Sequence, residues 1–304
     1  MDKQSRTERI KQQAKVLGFM ACGVAKAEFM EEEAQRLDTW LEQGHHGSMS
    51  YMENHFEMRV NPTLLVPGAK SVICLMYNYF PEQELESELK IAKYAYGRDY
   101  HKVIKKKLKQ FMAWMHVHIG QLEGRCFVDS APVLERDWAK RAGLGWTGKN
   151  TLLLNKEKGS YYFLAEIISD LDLVYDARVK DHCGTCTKCI DACPTDAISE
   201  NGFVLDANKC ISYLTIERKD AIPERFKGKM ENWIFGCDIC QEVCPWNRFS
   251  VPHKEEQFTP SQELRELKDW EAIREEVFDE LFKGSAVKRT KFKGFKRNID
   301  FIKQ

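Results

Sequence analysis

Eight of the eleven cysteines lie between residues 183 and 244, in two groups whose spacing is typical of metal–sulfur ligation. The stretch "HCGTCTKCIDACPTDAI" (182–198) contains C-x2-C-x2-C-x3-C followed by proline, the spacing of bacterial ferredoxins. In that pattern three cysteines bind one [4Fe–4S] cluster and the fourth binds a neighbouring one. The first group therefore predicts two clusters, and with them electron transfer.

The second group, in "FGCDICQEVCPWN" (235–247), lacks the first cysteine of the pattern, and Ile234 stands in its place. Each cluster needs four ligands, and Cys210 is the remaining cysteine of the region. We predict two ligand sets: Cys183, Cys186, Cys189 and Cys244 for one cluster, and Cys193, Cys210, Cys237 and Cys240 for the other. Two all-cysteine zinc sites are the alternative, although structural zinc usually takes paired C-x2-C knuckles.

Two further stretches carry polar side chains that could move protons. "FVDSAPVLER" (127–136) puts Asp129 at the end of a predicted strand, where a carboxyl is either a general acid with a pKa raised by burial or a helix cap. "AYGRDYHKV" (95–103) puts Arg98, Asp99, Tyr100 and His101 at the start of a predicted helix. These four polar residues are either structural or part of a site.

"GLGWTG" (143–148) matches the GxGxxG dinucleotide pattern by letters alone. That fingerprint has to follow a strand and open a helix, whereas this stretch follows a predicted helix and precedes a strand. We expect either a tight connection or a close backbone approach to some other ligand.

The surrounding elements alternate over the first 175 residues, and hydrophobic periodicity locates them. It predicts helices near 3–17, 30–42, 99–121 and 131–143, and strands near 20–26, 71–79, 125–130, 151–154 and 161–169. In the last segment, Thr259, Pro260 and Gln262 predict a capped helix. The fold class is α/β (α+β), with three predicted domains: an α/β domain (1–175), a ferredoxin-like domain (176–250) and a helical C-terminal segment with a basic tail (251–304).

The composition is that of a soluble globular chain without a transmembrane run or a secretory signal, so we expect a cytoplasmic protein. In that reducing compartment clustered cysteines are ligands, and the isolated Cys22, Cys74 and Cys126 belong to the core. Net charge is zero, but residues 283–304 carry eight bases and one acid, and 101–109 is also basic. Both runs could bind a phosphate backbone or could be solvated surface.

Together, "FVDSAPVLERDWAKRAGLGWTGKNTLLL", "DHCGTCTKCIDACPTDAI", "NKCISYLTIE" and "FGCDICQEVCPWN" make the chain resemble the epoxyqueuosine reductases. The resemblance covers about residues 5–300. It implies reduction of epoxyqueuosine to queuosine at the tRNA wobble position, with cobalamin and two [4Fe–4S] clusters as cofactors. It also implies a cobalamin-binding domain related to reductive dehalogenases, with base-off cobalamin between that domain and the ferredoxin-like domain.

The resemblance further implies roles for individual residues. Asp129 matches the proton donor, and Arg136 matches a residue near the modified base. Cobalamin contacts are implied for Arg59, Asp99, Tyr100, His101, Asp129 and Leu153, and also for Ser212 and Tyr213 beside the ligand Cys210. Candidate tRNA contacts are Lys102, Lys105, Lys106, Lys107 and Lys109, with Lys288, Arg289, Lys291, Lys293, Lys296 and Arg297 in the tail.

The expected partners are tRNA bearing epoxyqueuosine and an electron donor of the reductase, flavodoxin or ferredoxin type. We expect a monomer that does not bind membranes. Two alternatives remain at this point. One is an iron–sulfur electron-transfer protein without a corrin, and the other is a reductive dehalogenase-like enzyme acting on a small molecule.

Overall fold

The computed structural model describes all 304 residues as eleven α-helices and eight strands joined by short 3-10 turns. The helices are α1 (Lys3–Val16), α2 (Glu31–Glu42), α3 (Phe56–Val60), α4 (Tyr100–His118), α5 (Glu135–Arg141), α6 (Lys188–Asp191), α7 (Ile211–Ile216), α8 (Ile239–Glu242), α9 (Gln262–Glu266), α10 (Glu275–Leu281) and α11 (Lys291–Lys303). The strands are β1 (Ala21–Lys26), β2 (Ser71–Asn78), β3 (Lys90–Ile91), β4 (Gly124–Phe127), β5 (Trp146–Thr147), β6 (Leu153–Leu154), β7 (Tyr162–Ser169) and β8 (Trp233–Phe235). None of the helices is long and apolar enough to cross a bilayer.

The main sheet has four strands in the order β1–β2–β7–β4, and every pair in it is antiparallel. Strand β2 is buried along nearly its whole length because helices cover both faces of the sheet. Ile73 and Leu75 pack towards α1 and α4, whereas Val72 and Met76 pack towards α2 and α5. The mixed helix and strand content agrees with the predicted fold class, and the antiparallel pairing makes the arrangement α+β.

The connection between β4 and α5 differs from the predicted one. Strand β4 ends at Phe127, and α5 begins only at Glu135. Pro132 accounts for part of this delay, because a proline disfavours helical geometry at the residue before it. Asp129 has φ 45°, in the left-handed region. The intervening loop, residues 128–134, presents Asp129 outside the sheet.

The glycine-rich stretch before β5 is a tight connection. A Cβ atom on Gly145 would lie 2.0 Å from the carbonyl oxygen of Leu154, so only glycine lets β5 and β6 meet there. Backbone packing accounts for this glycine without a bound ligand.

The cysteine-rich segment joins the first part of the chain through strand pairing and side-chain contacts. Strand β3 pairs in parallel with β8. The short helices α6 and α8 occupy equivalent places in the two cysteine groups, and each is followed by a Cys-Pro dipeptide. They pack against each other, which brings the two groups together.

The C-terminal segment packs on β3 and β8 through an apolar core that includes Phe235, Phe278 and Phe295. The predicted cap is wrong in detail, because Ser261 rather than Thr259 accepts the N–H of Leu264 at the start of α9. The Thr259 N–H instead bonds the Glu256 carbonyl. Two short helices, α9 and α10, stand where continuous periodicity indicated one helical region.

Candidate active site and cluster ligands

Asp129 lies beside two polar residues at the start of α4. The Tyr100 hydroxyl donates to Asp129 Oδ2, and His101 Nε2 lies 3.5 Å from the same oxygen. On its other side, His101 Nδ1 lies 2.7 Å from Asp99 Oδ1. The resulting triad of Asp99, His101 and Asp129 is open to solvent, since the Asp129 side chain is 57% exposed.

The charges in this triad differ from the sequence-based expectation for Asp129. Burial would raise the pKa of Asp129, but hydrogen bonds from His101 and Tyr100 outweigh it and lower the pKa. Burial disfavours a charged imidazole, yet hydrogen bonds to Asp129 and Asp99 raise the pKa of His101 to about 9. The expectation of a neutral Asp129 with a raised pKa is therefore wrong. At neutral pH, Asp129 is the anion and His101 carries the proton.

Arg289 comes to the same site from the C-terminal segment. Its Nε donates to Glu217 Oε1 over 2.6 Å, and its positive charge interacts electrostatically with Asp129 and Tyr51. The sequence placed Arg289 among phosphate contacts and gave no sign of Tyr51 or Glu217. Glu217 directly follows α7, the helix that begins after Cys210, so this ion pair connects the cysteine-rich segment with the surroundings of Asp129.

Arg59 stabilises the backbone next to Tyr51. Its side chain is buried, and it donates to the carbonyl oxygens of Tyr51 and Asn54. These bonds order the turn that carries Tyr51. Leu153 is also buried, in β6. Both predicted cobalamin contacts are thus buried side chains, and their contact with cobalamin stays a prediction.

The thiols of the cysteine-rich segment lie near one another, and their division into two ligand sets stays a prediction. Cys189 interacts electrostatically with Cys244, Cys183 and Cys186, and burial raises its pKa to about 11. In the second group, Cys237 interacts with Cys210 and Cys240, and Cys210 interacts with Cys193. Cys240 also interacts with Cys189, so the groups are neighbours.

Backbone amides point at several of these sulfurs. The Ala197 N–H donates to Cys193 Sγ over 3.3 Å, and the backbone amides of Ser212 and Tyr213 favour the thiolate of Cys210, as those of Trp246 and Asn247 favour that of Cys244. Such N–H···S bonds favour the thiolate form and tune iron–sulfur potentials. The all-cysteine donor sets and their amide partners therefore fit two [4Fe–4S] clusters. Tyr213 is held by its hydroxyl, which accepts the Ser48 N–H over 2.7 Å.

The basic residues divide into engaged and free side chains. In the tail, Lys288 pairs with Asp279, Lys296 with Asp300, and Arg297 donates to three backbone carbonyls of the 214–220 segment. Lys107 pairs with Glu255. The exposed side chains without an ion pair are Lys102, Lys105, Lys106, Lys109, Lys291 and Lys293.

Arg136 lies on a groove of about 500 Å³ between α2, α5 and residues 203–205. It donates to the Thr151 carbonyl oxygen over 2.6 Å. The groove is lined by the guanidinium groups of Arg36 and Arg136, by aromatic and apolar side chains of Trp40, Leu37, Phe203 and Val204, and by the carboxylates of Glu32, Glu33 and Asp137. Arg36 is paired with Asp137, so the groove has no excess of free positive charge.

Comparison with known proteins agrees with this geometry. Residues 182–247 match the "4Fe-4S double cluster binding domain", and residues 59–130 match the model "Epoxyqueuosine reductase QueG, DUF1730". The epoxyqueuosine reductase of Cyclobacterium marinum is 60% identical over 301 residues, which cover 98% of this chain and 96% of the relative. The chain belongs to the epoxyqueuosine reductase family. The Escherichia coli member is 42% identical, and the match covers 98% of this chain and 81% of that relative.

Solved structures of the family share the fold. An epoxyqueuosine reductase crystallised with an epoxyqueuosine-modified tRNA-Tyr stem loop superposes with a TM-score of 0.87 at 31% identity, covering 96% of this chain and 79% of that one. A catabolic reductive dehalogenase gives a TM-score of 0.50 at 18% identity, covering 96% of this chain and 38% of that one. The second comparison concerns the fold alone.

Proposed function

We propose that this protein reduces epoxyqueuosine to queuosine at the wobble position of tRNA, the last step of queuosine biosynthesis. The observation that carries the proposal is the proton-bearing triad of Asp99, His101 and Asp129, linked through Arg289 and Glu217 to the segment that holds the cysteine groups. Family membership supplies the substrate, because a relative was crystallised with the modified stem loop.

The two cysteine groups would hold two [4Fe–4S] clusters, one on Cys183, Cys186, Cys189 and Cys244 and the other on Cys193, Cys210, Cys237 and Cys240. We assign cobalamin to the space between Asp129 and the cysteine-rich segment, and Arg136 to the neighbourhood of the modified base. When bound, cobalamin would store the electrons that clusters pass singly and supply the reductant for C–O cleavage. Ser212 and Tyr213 lie on the cluster side of this space, whereas Arg59 and Leu153 shape its wall.

The chain's own residues supply protons. Loss of the epoxide oxygen as water consumes two electrons and two protons. Because Asp129 is the anion at rest, His101 would pass its proton through Asp129 to the departing oxygen, and solvent would supply the second proton through the exposed side of the site. Asp99 fixes the His101 ring and stabilises its cationic form. Tyr100 holds the Asp129 carboxylate in place.

The exposed lysines of α4 and the free lysines of the tail, Lys291 and Lys293, would contact tRNA phosphates. The electron donor would be a reductase, flavodoxin or ferredoxin acting on a monomer. A cytoplasmic location follows from the tRNA substrate and from thiols that must stay reduced.

A reconstitution assay tests this function. The protein is loaded anaerobically with iron, sulfide and cobalamin, reduced chemically, and given tRNA from cells blocked at the epoxyqueuosine step. We expect mass spectrometry of the digested nucleosides to show loss of one oxygen only when cobalamin is present. Unchanged epoxyqueuosine with clusters and cobalamin bound would contradict the substrate. Failure to bind cobalamin would contradict the cofactor.

A further inference from the structure

A second pair of carboxyl groups lies behind the active-site loop, outside the triad. Glu166 is in the middle of β7, the central strand, and its side chain is completely buried. Neither of its carboxyl oxygens has an N–H or O–H donor within hydrogen-bonding distance. Its polar neighbour is the carboxyl of Glu135, the first residue of α5. An unpartnered buried carboxylate is costly, so this arrangement needs a physical explanation.

Glu135 connects this buried carboxyl with Asp129. Its Oε1 accepts a hydrogen bond from the backbone N–H of Asp129. Asp129 has φ 45°, a left-handed conformation that is strained for a non-glycine residue and therefore has to be held by its surroundings. The bond to Glu135 fixes the backbone at the residue that carries the reactive carboxyl.

Two ionised carboxylates in contact would have only acceptors and would repel each other, so a proton has to lie between Glu135 and Glu166. No other neighbour supplies one. The Cys74 thiol, which faces Glu166 in register, points towards the Val72 carbonyl, and Asp129 is itself an anion. Burial and mutual charge raise the pKa values of both glutamates, in agreement with this geometry.

We propose that Glu135 and Glu166 form a proton-sharing latch that holds the 128–134 loop in its catalytic position. Glu166 is a buried partner on the rigid sheet that holds the Glu135 carboxyl. Glu135 in turn holds the backbone N–H of Asp129 through its hydrogen bond. Both are positioning residues, since Glu166 is fully buried and Glu135 acts through the backbone N–H of Asp129. The inference rests on the proposed function for its effect on turnover, but its effect on the loop can be measured without turnover.

Hydrogen–deuterium exchange of the cluster-loaded protein measures the loop directly. Glu135→Ala removes the acceptor, so amide exchange across 128–134 should speed up at least about ten-fold. Turnover should fall at least about ten-fold, because displacing a reacting group by about 1 Å costs up to about 100-fold. Glu135→Gln can accept from Asp129 and donate to Glu166, so it should behave nearly as wild type in both measurements.

The Glu166 variants separate a latch from a general stabilising role. Glu166→Leu keeps the volume but removes the shared proton, so the thermal midpoint should hold or rise while loop exchange quickens and turnover falls. Glu166→Gln retains a donor and should preserve both. Lys140→Ala, on the same helix, controls for effects of altering α5.

Unchanged loop exchange in Glu135→Ala and Glu166→Leu would overturn the latch, as would a Glu135→Gln variant as impaired as Glu135→Ala. If the proposed reaction itself failed, turnover would be absent from every form. The order of the loop-exchange rates among the variants would still test the latch independently of turnover.

Discussion

At the residue scale, the charge of Asp129 depends on its hydrogen-bond partners, which outweigh the effect of desolvation. Tyr100 and His101 both donate towards its carboxylate, so the anion is favoured and the mobile proton resides on the imidazole. A cation–anion pair of this kind can deliver a proton to a leaving oxygen and be recharged from solvent through the exposed side of the site.

The first prediction concerns Asp129 itself. Asp129→Asn keeps the shape and can still accept from Tyr100, but it cannot pass on a proton. We expect both clusters and cobalamin to remain bound, as seen in the visible spectrum, while epoxyqueuosine turnover falls about 100-fold or more. Turnover within a few-fold of wild type would remove the acid role from Asp129.

The second prediction is a pH dependence set by His101. Its pKa is raised to about 9, so the charged imidazole is present at neutral pH and is lost as the pH rises through about 9. We therefore expect kcat/KM to fall above about pH 9. In His101→Gln, kcat/KM should be lower at neutral pH, and this decrease at high pH should be absent. The profile should be recorded with a chemical reductant, so that a protein donor does not contribute its own titration. An unchanged decrease in the variant would assign it to another group.

At the element scale, α4 combines two tasks. The Asp99 side chain caps its N-terminus by accepting the His101 N–H and also contacts the His101 ring. The same first turn therefore starts the helix and orients the proton donor. The exposed face of α4 carries lysines from Lys102 to Lys109, so one helix reaches from the chemistry to the basic surface.

A third prediction belongs to the junction of β3 with the cysteine-rich segment. The Lys93 side chain is only 2% exposed, and its amine contacts Glu84, Asp238 and Glu242. These carboxylates raise its pKa against the opposing effect of burial. Lys93→Met would leave the buried Asp238 uncompensated and should lower the free energy of unfolding by about 3 kcal/mol.

Anaerobic urea unfolding of the cluster-loaded protein measures this loss. Lys90→Met is the matched control, because Lys90 is exposed on the same short segment and should change stability by less than about 1 kcal/mol. Equal effects of the two substitutions would show that the buried ion pairs do not stabilise the junction.

At the scale of the whole molecule, charge segregation matters more than the zero net charge. Internal ion pairs and carbonyl contacts occupy much of the basic tail, which leaves α4 with the larger set of free lysines. The tRNA surface we propose is therefore centred on α4 and is only extended by Lys291 and Lys293.

A fourth prediction follows for salt dependence. The double variant Lys105→Ala, Lys109→Ala should weaken tRNA binding and flatten the slope of log K against log salt by about 1.5, because each lost phosphate contact contributes about 0.7–0.9. The double variant Lys268→Ala, Lys283→Ala removes two exposed lysines that lie among acids and should leave the slope unchanged. Equal slopes in both double variants would show that the α4 lysines do not contact tRNA phosphates.

The sequence by itself determined what depends on neighbouring residues. Helix and strand positions followed from periodicity within a few residues, and the fold class is confirmed. The ligand sets stay predictions, made because short spacings constrain three cysteines covalently and ligand number leaves Cys210 for the fourth place. The late start of α5 and the cap of α9 were less predictable, because a single proline and a single serine influence them.

Only the tertiary structure decided which distant residues meet. His101 and Asp129 are 28 positions apart, Arg289 comes from the far end of the chain, and the Glu166 carboxyl looks like a polar interruption in an apolar strand. Whether a lysine faces solvent or an internal carboxylate likewise depends on how helices pack. Protonation states follow from such long-range contacts, which is why the sequence indicated Asp129 but assigned its proton wrongly.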